Sequence, residues 1–157
     1  MAARLDGNGR PSPDPEPEPI GGLRLRALPA VSDPAFPLEH DYFEIVYAPL
    51  IGPTGILLAR AMARHLDAAA GPTTVGPVEL AQEVGIRASG VDPLGDKSHL
   101  VRAIDRLAHD RVVARLGERV LGVHLAIPPL SARALAKVPR FVREAHWRYL
   151  PIVGSER

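Results

Sequence analysis

The sequence predicts a mainly α-helical α+β fold with a small β-hairpin, and three adjacent patterns carry this prediction. Residues 98–109 place apolar side chains at helical spacing, which is typical of an amphipathic helix with one buried face. Directly after this helix, valine-rich runs at 112–115 and 120–126 flank a Leu-Gly-Glu-Arg turn, as in a β-hairpin. Before it, residues 77–84 form a second amphipathic pattern that Gly85 ends.

Further helices are predicted on both sides of this unit. The strongest helical pattern runs from residue 54 to residue 69, and the Gly-Pro-Thr-Gly of 52–55 marks its start. A short strand is expected at 73–75, and two more helices over 132–138 and 139–149.

The chain is expected to contain one folded domain over residues 38–150, followed by a tail at 151–157. Residues 1–37 are predicted to be a disordered N-terminal arm, because the proline-rich run of 11–19 cannot make helical or ladder hydrogen bonds. Leucine alternates with arginine over 22–28, so a short docked strand is an alternative there.

Charge is distributed unevenly along the 157 residues. Residues 1–95 carry seven arginines and twelve acidic residues, a net charge of −5, whereas residues 96–157 carry twelve basic and six acidic residues, a net charge of +6. A concentrated positive surface favours an anionic partner for the second half of the chain, although charged helix surfaces are also common in proteins without one.

Enzyme chemistry is not expected. The chain has no cysteine, which excludes disulfides and thiolate zinc sites, and its six histidines show no metal-ligand spacing. Ser98 lacks an evident His–Asp relay. The sequence therefore predicts no catalytic residue, no metal and no cofactor.

The longest uncharged run, Ile45 to Ala59, is shorter than the ~20 residues that span a bilayer, and Pro49 and Pro53 interrupt it. We therefore expect no membrane partner and a cytoplasmic, nucleoid-associated location.

The order helix, helix, hairpin over about residues 73–126 resembles the winged helix-turn-helix, and within it the MarR-like DNA-binding regulators. The helix at 98–109 matches best, since an Arg, an Asp-Arg pair and a core Leu fall where that family carries them. These residues are Arg102, Asp105, Arg106 and Leu107. The Gly-Pro-Thr before a long helix and the Ser before the second helix are also similar to small winged-helix proteins of GC-rich bacteria. The resemblance implies a small bacterial transcriptional regulator that binds double-stranded DNA, with helix 98–109 in the major groove.

Arg102 and Arg106 are the candidate base-reading residues. They are four residues apart, so they project from one side of the helix, and each can form two hydrogen bonds to guanine. The alternative is that they form surface ion pairs with Asp105, Asp110 or Glu118. Asp105 is interpreted as a positioning residue in either case.

Five further residues are candidates for contacts with the DNA backbone. Ser98 and His99 lie at the helix start, where amide groups and the helix dipole favour a phosphate. Lys97, Arg115 and Arg119 are placed for phosphate contacts that give affinity without sequence reading.

One feature departs from the family pattern: twelve residues, 86–97, stand where a turn of three or four is usual. This loop is either an insertion that reaches the phosphates or the sign of another use. The alternative function is a winged-helix adaptor that binds protein and not nucleic acid, with Trp147 as an anchor. By resemblance, helix 54–69 and the C-terminal helices form a homodimer, or else they cover the core of a monomer.

Overall fold

A four-stranded β-sheet and a set of helices share one apolar core in the computed structural model, which describes residues 21–87 and 92–150. The helices are α1 (Ala48–Ala69), α2 (Pro77–Glu83), α3 (His99–His109), α4 (Ala132–Leu135) and α5 (Arg140–Tyr149), and a π-helical turn at Phe43–Tyr47 precedes α1. The strands are β1 (Leu23–Leu28), β2 (Phe36–Pro37), β3 (Thr73–Val75), β4 (Val113–Gly117), β5 (Val120–His124) and β6 (Ala126–Ile127). The fold is therefore mixed, as the α+β prediction requires.

The sheet has the strand order β3-β1-β5-β4. β4 and β5 form the expected antiparallel hairpin, with an irregularity between Arg115 and Gly117. β1 runs parallel to β5 on one side and antiparallel to β3 on the other. A separate two-residue pairing joins β2 to β6. The sheet thus contains the predicted hairpin and the predicted strand at 73–75, with β1 between them.

The prediction of a disordered arm over residues 1–37 is wrong for residues 21–37. β1 occupies an inner position of the sheet, and its Leu23 and Leu25 are buried while Arg26 is exposed. The leucine–arginine alternation is the two-residue period of a strand, and hydrogen bonding on both edges holds the strand in place. Residues 1–20 and the predicted tail at 151–157 lie outside the described residues.

Glycine and proline start the main part of α1, as predicted. Gly52 has φ 76° and ψ 163°, a conformation outside the helical region that glycine adopts without steric cost. Pro53 follows, and its fixed φ suits the first position of the helical segment that continues to Ala69. Leu58 and Met62, on the inner face of this segment, are fully buried.

Among the described residues, one helical stretch, Phe43–Ala69, is long and apolar enough to cross a membrane by length and composition, with a mean hydropathy of 1.4. Half of that apolar window is buried inside the fold, which is also what the core helix of a domain shows.

The remaining predicted helices are present, although the helix predicted over 132–138 is shortened to Ala132–Leu135 and the strand predicted over 120–126 ends at His124. Pro77 begins α2, and Gly85 ends it with a φ of 78°. Ser131 caps α4 by accepting a hydrogen bond from the Ala134 amide at 3.2 Å, and Pro139 is the N-cap residue of α5.

Tyr42 joins three separate parts of the chain. Its hydroxyl accepts a hydrogen bond from the Leu130 amide at 2.9 Å and lies 2.7 Å from Nδ1 of His146 in α5. Phe36 of β2 stacks on the Tyr42 ring with centroids 4.0 Å apart. Burial raises the pKa of Tyr42 to about 12, so the hydroxyl stays protonated and donates a hydrogen bond to Nδ1 of a neutral His146 ring.

We expect Tyr42→Phe to lower the free energy of unfolding by about 1–3 kcal/mol, because the Leu130 amide and the His146 ring nitrogen then stay buried without a partner. Urea unfolding followed by circular dichroism measures the change. Tyr149→Phe is the matched control, since Tyr149 makes ring contacts with His40 and Tyr42 that survive loss of the hydroxyl. Equal losses in the two variants would contradict the assigned role of the hydroxyl.

Stability should also fall in acid because of His146. Burial lowers the pKa of this ring below its ordinary value of 6.5, so the unfolded chain binds the proton more readily than the folded one. The free energy of unfolding is therefore expected to be constant, as far as His146 is concerned, above about pH 7.5 and to decrease as the pH drops below about 6.5. Urea unfolding at a series of pH values checks this, and an NMR titration of the His146 ring with a midpoint at or above 6.5 would refute it.

Candidate nucleic-acid interface

The amphipathic pattern of α3 is confirmed, and it decides which side chains reach the surface. The buried face packs against α1 and the sheet and consists of Leu100, Ala103, Ile104 and Leu107. The opposite side of the helix is exposed and carries His99, Arg102, Asp105, Arg106 and His109. Arg102 and Arg106 therefore point away from the core and are not covered by the C-terminal helices.

Ser98 is not on this surface, which corrects its assignment as a phosphate contact. Its side chain is buried, and its hydroxyl accepts hydrogen bonds from the amides of Leu100 at 3.1 Å and Val101 at 3.4 Å. The same hydroxyl donates to the Pro93 carbonyl at 2.6 Å. All of its hydrogen-bonding capacity thus serves the start of α3, the N-cap role that the sequence also predicted.

Arg102 and Arg106 line an open cavity of about 340 Å³ at the edge of α3. The beginning of α1 forms the facing wall, and a Cβ added at Gly52 would lie 3.5 Å from Nη1 of Arg106. His99 lines the same cavity at the start of α3. Three of the seven predicted contact residues are therefore brought together at one place.

Arg115 is held by an ion pair with the Asp105 carboxylate, which connects β4 to α3. Both side chains are roughly half exposed, so the pair adds at most about 1 kcal/mol to stability. Asp105 positions a cation, as interpreted from the sequence, but that cation is Arg115 rather than Arg102 or Arg106.

Lys97 and Arg119 lie apart from the cavity. Lys97 is exposed in the turn before α3, and Arg119 is exposed at the tip of the β4–β5 hairpin. The Arg119 carbonyl accepts a hydrogen bond from the Arg24 amide at 2.8 Å, so β1 fixes the base of this tip. These two residues remain available for contacts that flank α3.

Sequence reasoning missed Arg87 as a site residue. It lies after α2 and lines the cavity together with Gly85, Ile86 and Thr54. In the sequence, Arg87 is a single arginine in the loop at 86–97. Its distance along the chain from α3 does not indicate that the two lie side by side. Part of that loop, residues 88–91, lies outside the described residues.

Within residues 21–87 and 92–150, no group of three or more His, Asp or Glu side chains is placed to hold a metal ion. Comparison with protein-family models, curated proteins and solved structures finds no match to this chain.

Replacing Ser98 with alanine should destabilise the protein by about 1–2 kcal/mol, because the first amides of α3 lose their cap. Thermal or urea unfolding gives the value. Ser131→Ala is the matched control: it removes one cap bond from the four-residue helix α4 and should cost less. If Ser98→Ala left stability unchanged while reducing DNA affinity, Ser98 would be a surface contact after all.

Proposed function

We propose that the chain is a winged helix-turn-helix protein that binds double-stranded DNA, a small bacterial transcriptional regulator with α3 in the major groove. One observation carries the proposal: Arg102, Arg106 and His99 are exposed together on one side of α3. None of the ion pairs between described residues engages Arg102 or Arg106. These cations therefore remain available to an anionic partner.

The spacing of the two arginines supports major-groove binding. Residues four apart on a helix are about 6 Å apart along its axis, close to the rise of about two base pairs in B-form DNA. Arg102 and Arg106 can therefore address neighbouring base-pair steps, and a guanidinium forms two parallel hydrogen bonds with guanine.

The flanking cations suit the DNA backbone. Lys97 precedes α3 and Arg119 marks the hairpin tip, so they bracket the helix on either side along the chain. Arg115 is tied to Asp105 and contributes positive charge at a fixed position. Backbone contacts of this kind set orientation and affinity without reading sequence. A cytoplasmic, nucleoid-associated location is part of the same proposal.

A homodimer is also proposed, and exposed apolar groups favour the C-terminal helices as its interface. Leu58 and Met62 of α1 are buried in the core of the same chain, which leaves Leu57, 51% exposed, on that helix. By contrast, Phe141 and Trp147 of α5 are 62% and 63% exposed. Two-fold pairing through α5 would bury these two rings.

The same two aromatic residues favour a second candidate, a protein-binding adaptor without nucleic-acid binding. Exposed tryptophans in otherwise charged surroundings are frequent anchors of protein interfaces, and Arg140 and Glu144 flank Trp147 on α5. The adaptor needs the α5 surface and not Arg102 or Arg106, so a single set of variants separates the two functions.

DNA binding is tested by fluorescence anisotropy with mixed-sequence duplexes. If about four phosphates are neutralised, affinity should fall about a hundred-fold between about 50 and about 200 mM salt, because bound counterions are released. Arg102→Ala is expected to reduce discrimination between duplex sequences, whereas Lys97→Ala should weaken all duplexes alike.

Arg133→Ala is the control, because Arg133 is an exposed cation on α4, outside the proposed interface. Absence of any association at low salt would overturn the proposal. So would equal effects of Arg102→Ala and Arg133→Ala. If Trp147→Ala then abolished binding of a protein partner, the adaptor would replace the DNA-binding function.

A further inference from the structure

The cavity beside α3 is lined by residues from three segments of the chain, although an exposed helix alone is sufficient to bind DNA in the major groove. These segments are distant in sequence: the start of α1, the residues that follow α2 and the first two turns of α3. The latter two bring arginines, Arg87 after α2 and Arg102 and Arg106 on α3, and α3 also contributes His99. The rest of the lining is small or apolar, apart from the hydroxyl-bearing Thr54.

None of the described residues that line the cavity carries a carboxylate. Arg87, like Arg102 and Arg106, takes part in none of the ion pairs between described residues. Three guanidinium groups around one small space repel each other, and the helical segment that begins at Pro53 turns its positive end to the same region. An anion in the cavity would remove this repulsion.

The donor set indicates which anion fits. Guanidinium groups are planar forks that bind carboxylate and phosphate oxygens in pairs, and three of them supply more charge than a single carboxylate can neutralise. A terminal phosphate offers close to two negative charges and three free oxygens. Thr54 and Gly55 line the facing wall at the start of the helical segment of α1, so the hydroxyl of Thr54 adds a hydrogen-bond donor for a phosphate oxygen.

We propose that this cavity binds the terminal phosphate group of a small phosphorylated molecule. Its volume of about 340 Å³ lies in the range of small-ligand sites, and Ile51, Ile86 and Ala103 give it apolar walls for the remainder of such a molecule. A phosphate of the DNA backbone offers related chemistry with a single charge, and the experiment below distinguishes the two sources.

The cavity ligand is expected to regulate DNA binding, an effect that rests on the proposed function. Arg102 and Arg106 belong to both the cavity and the proposed DNA-binding face. A phosphate held in the cavity occupies these guanidinium groups, so the small ligand and the duplex should each weaken binding of the other by the same factor.

The test is a ¹H–¹⁵N NMR titration of the full chain with phenyl phosphate and with inorganic phosphate at constant ionic strength. Saturable shifts are expected at the amides of Thr54, Gly55 and Arg102. Arg102→Gln and Arg106→Gln should each weaken phosphate binding about ten-fold, the effect of losing one charge-assisted hydrogen bond. Arg133→Gln, a cation on α4, should leave it unchanged, and thermal unfolding verifies that each variant is folded.

Three results would overturn the inference: shifts that do not saturate, shifts spread over all cationic surfaces, or equal weakening in Arg133→Gln. Anisotropy with duplex DNA on the same variants then separates this inference from the proposed function. Duplex binding without phosphate binding would assign Arg102 and Arg106 to DNA binding alone and reject the cavity ligand. Phosphate binding without duplex binding would support the cavity ligand and reject the DNA-binding function.

Discussion

The packing of α3 against α1 is the constraint on which the rest of this structure depends. Leu100, Ile104 and Leu107 must leave water, and α1 offers the apolar surface that receives them. Once that face is fixed, helical geometry leaves Arg102 and Arg106 no position except the opposite side and its edge. The cationic face is therefore a consequence of core formation. The orientation of the two arginines does not depend on ion pairs with acidic side chains.

The same packing brings the break in α1 next to the cationic edge of α3. Gly52 leaves the helical conformation with a φ of 76°, and a Cβ added there would be in ordinary van der Waals contact with Nη1 of Arg106, 3.5 Å away. The cavity thus lies where the start of the helical segment of α1 meets the first turns of α3 and the residues that follow α2.

The sequence was sufficient to predict helix starts, ends and caps, because a single residue determines the backbone geometry at each of these positions. The start of α1 at Gly52–Pro53, the end of α2 at Gly85 and the caps at Ser98 and Ser131 all followed from residue type and position. Ser98 nevertheless illustrates the limit of such reasoning. Residue type identified it equally as a cap and as a phosphate contact, and only its burial and its bond to Pro93 separate the two roles.

The sequence by itself determined the α+β class, the main helices, the hairpin and the exposure of Arg102 and Arg106, because these depend on periodicity and on local steric preferences. Only the tertiary structure decided that β1 lies inside the sheet, that Asp105 pairs with Arg115, and that Arg87 lies beside α3. These features depend on contacts between residues far apart in the chain. Their stability comes from burial and hydrogen bonding with partners that no short stretch of sequence specifies.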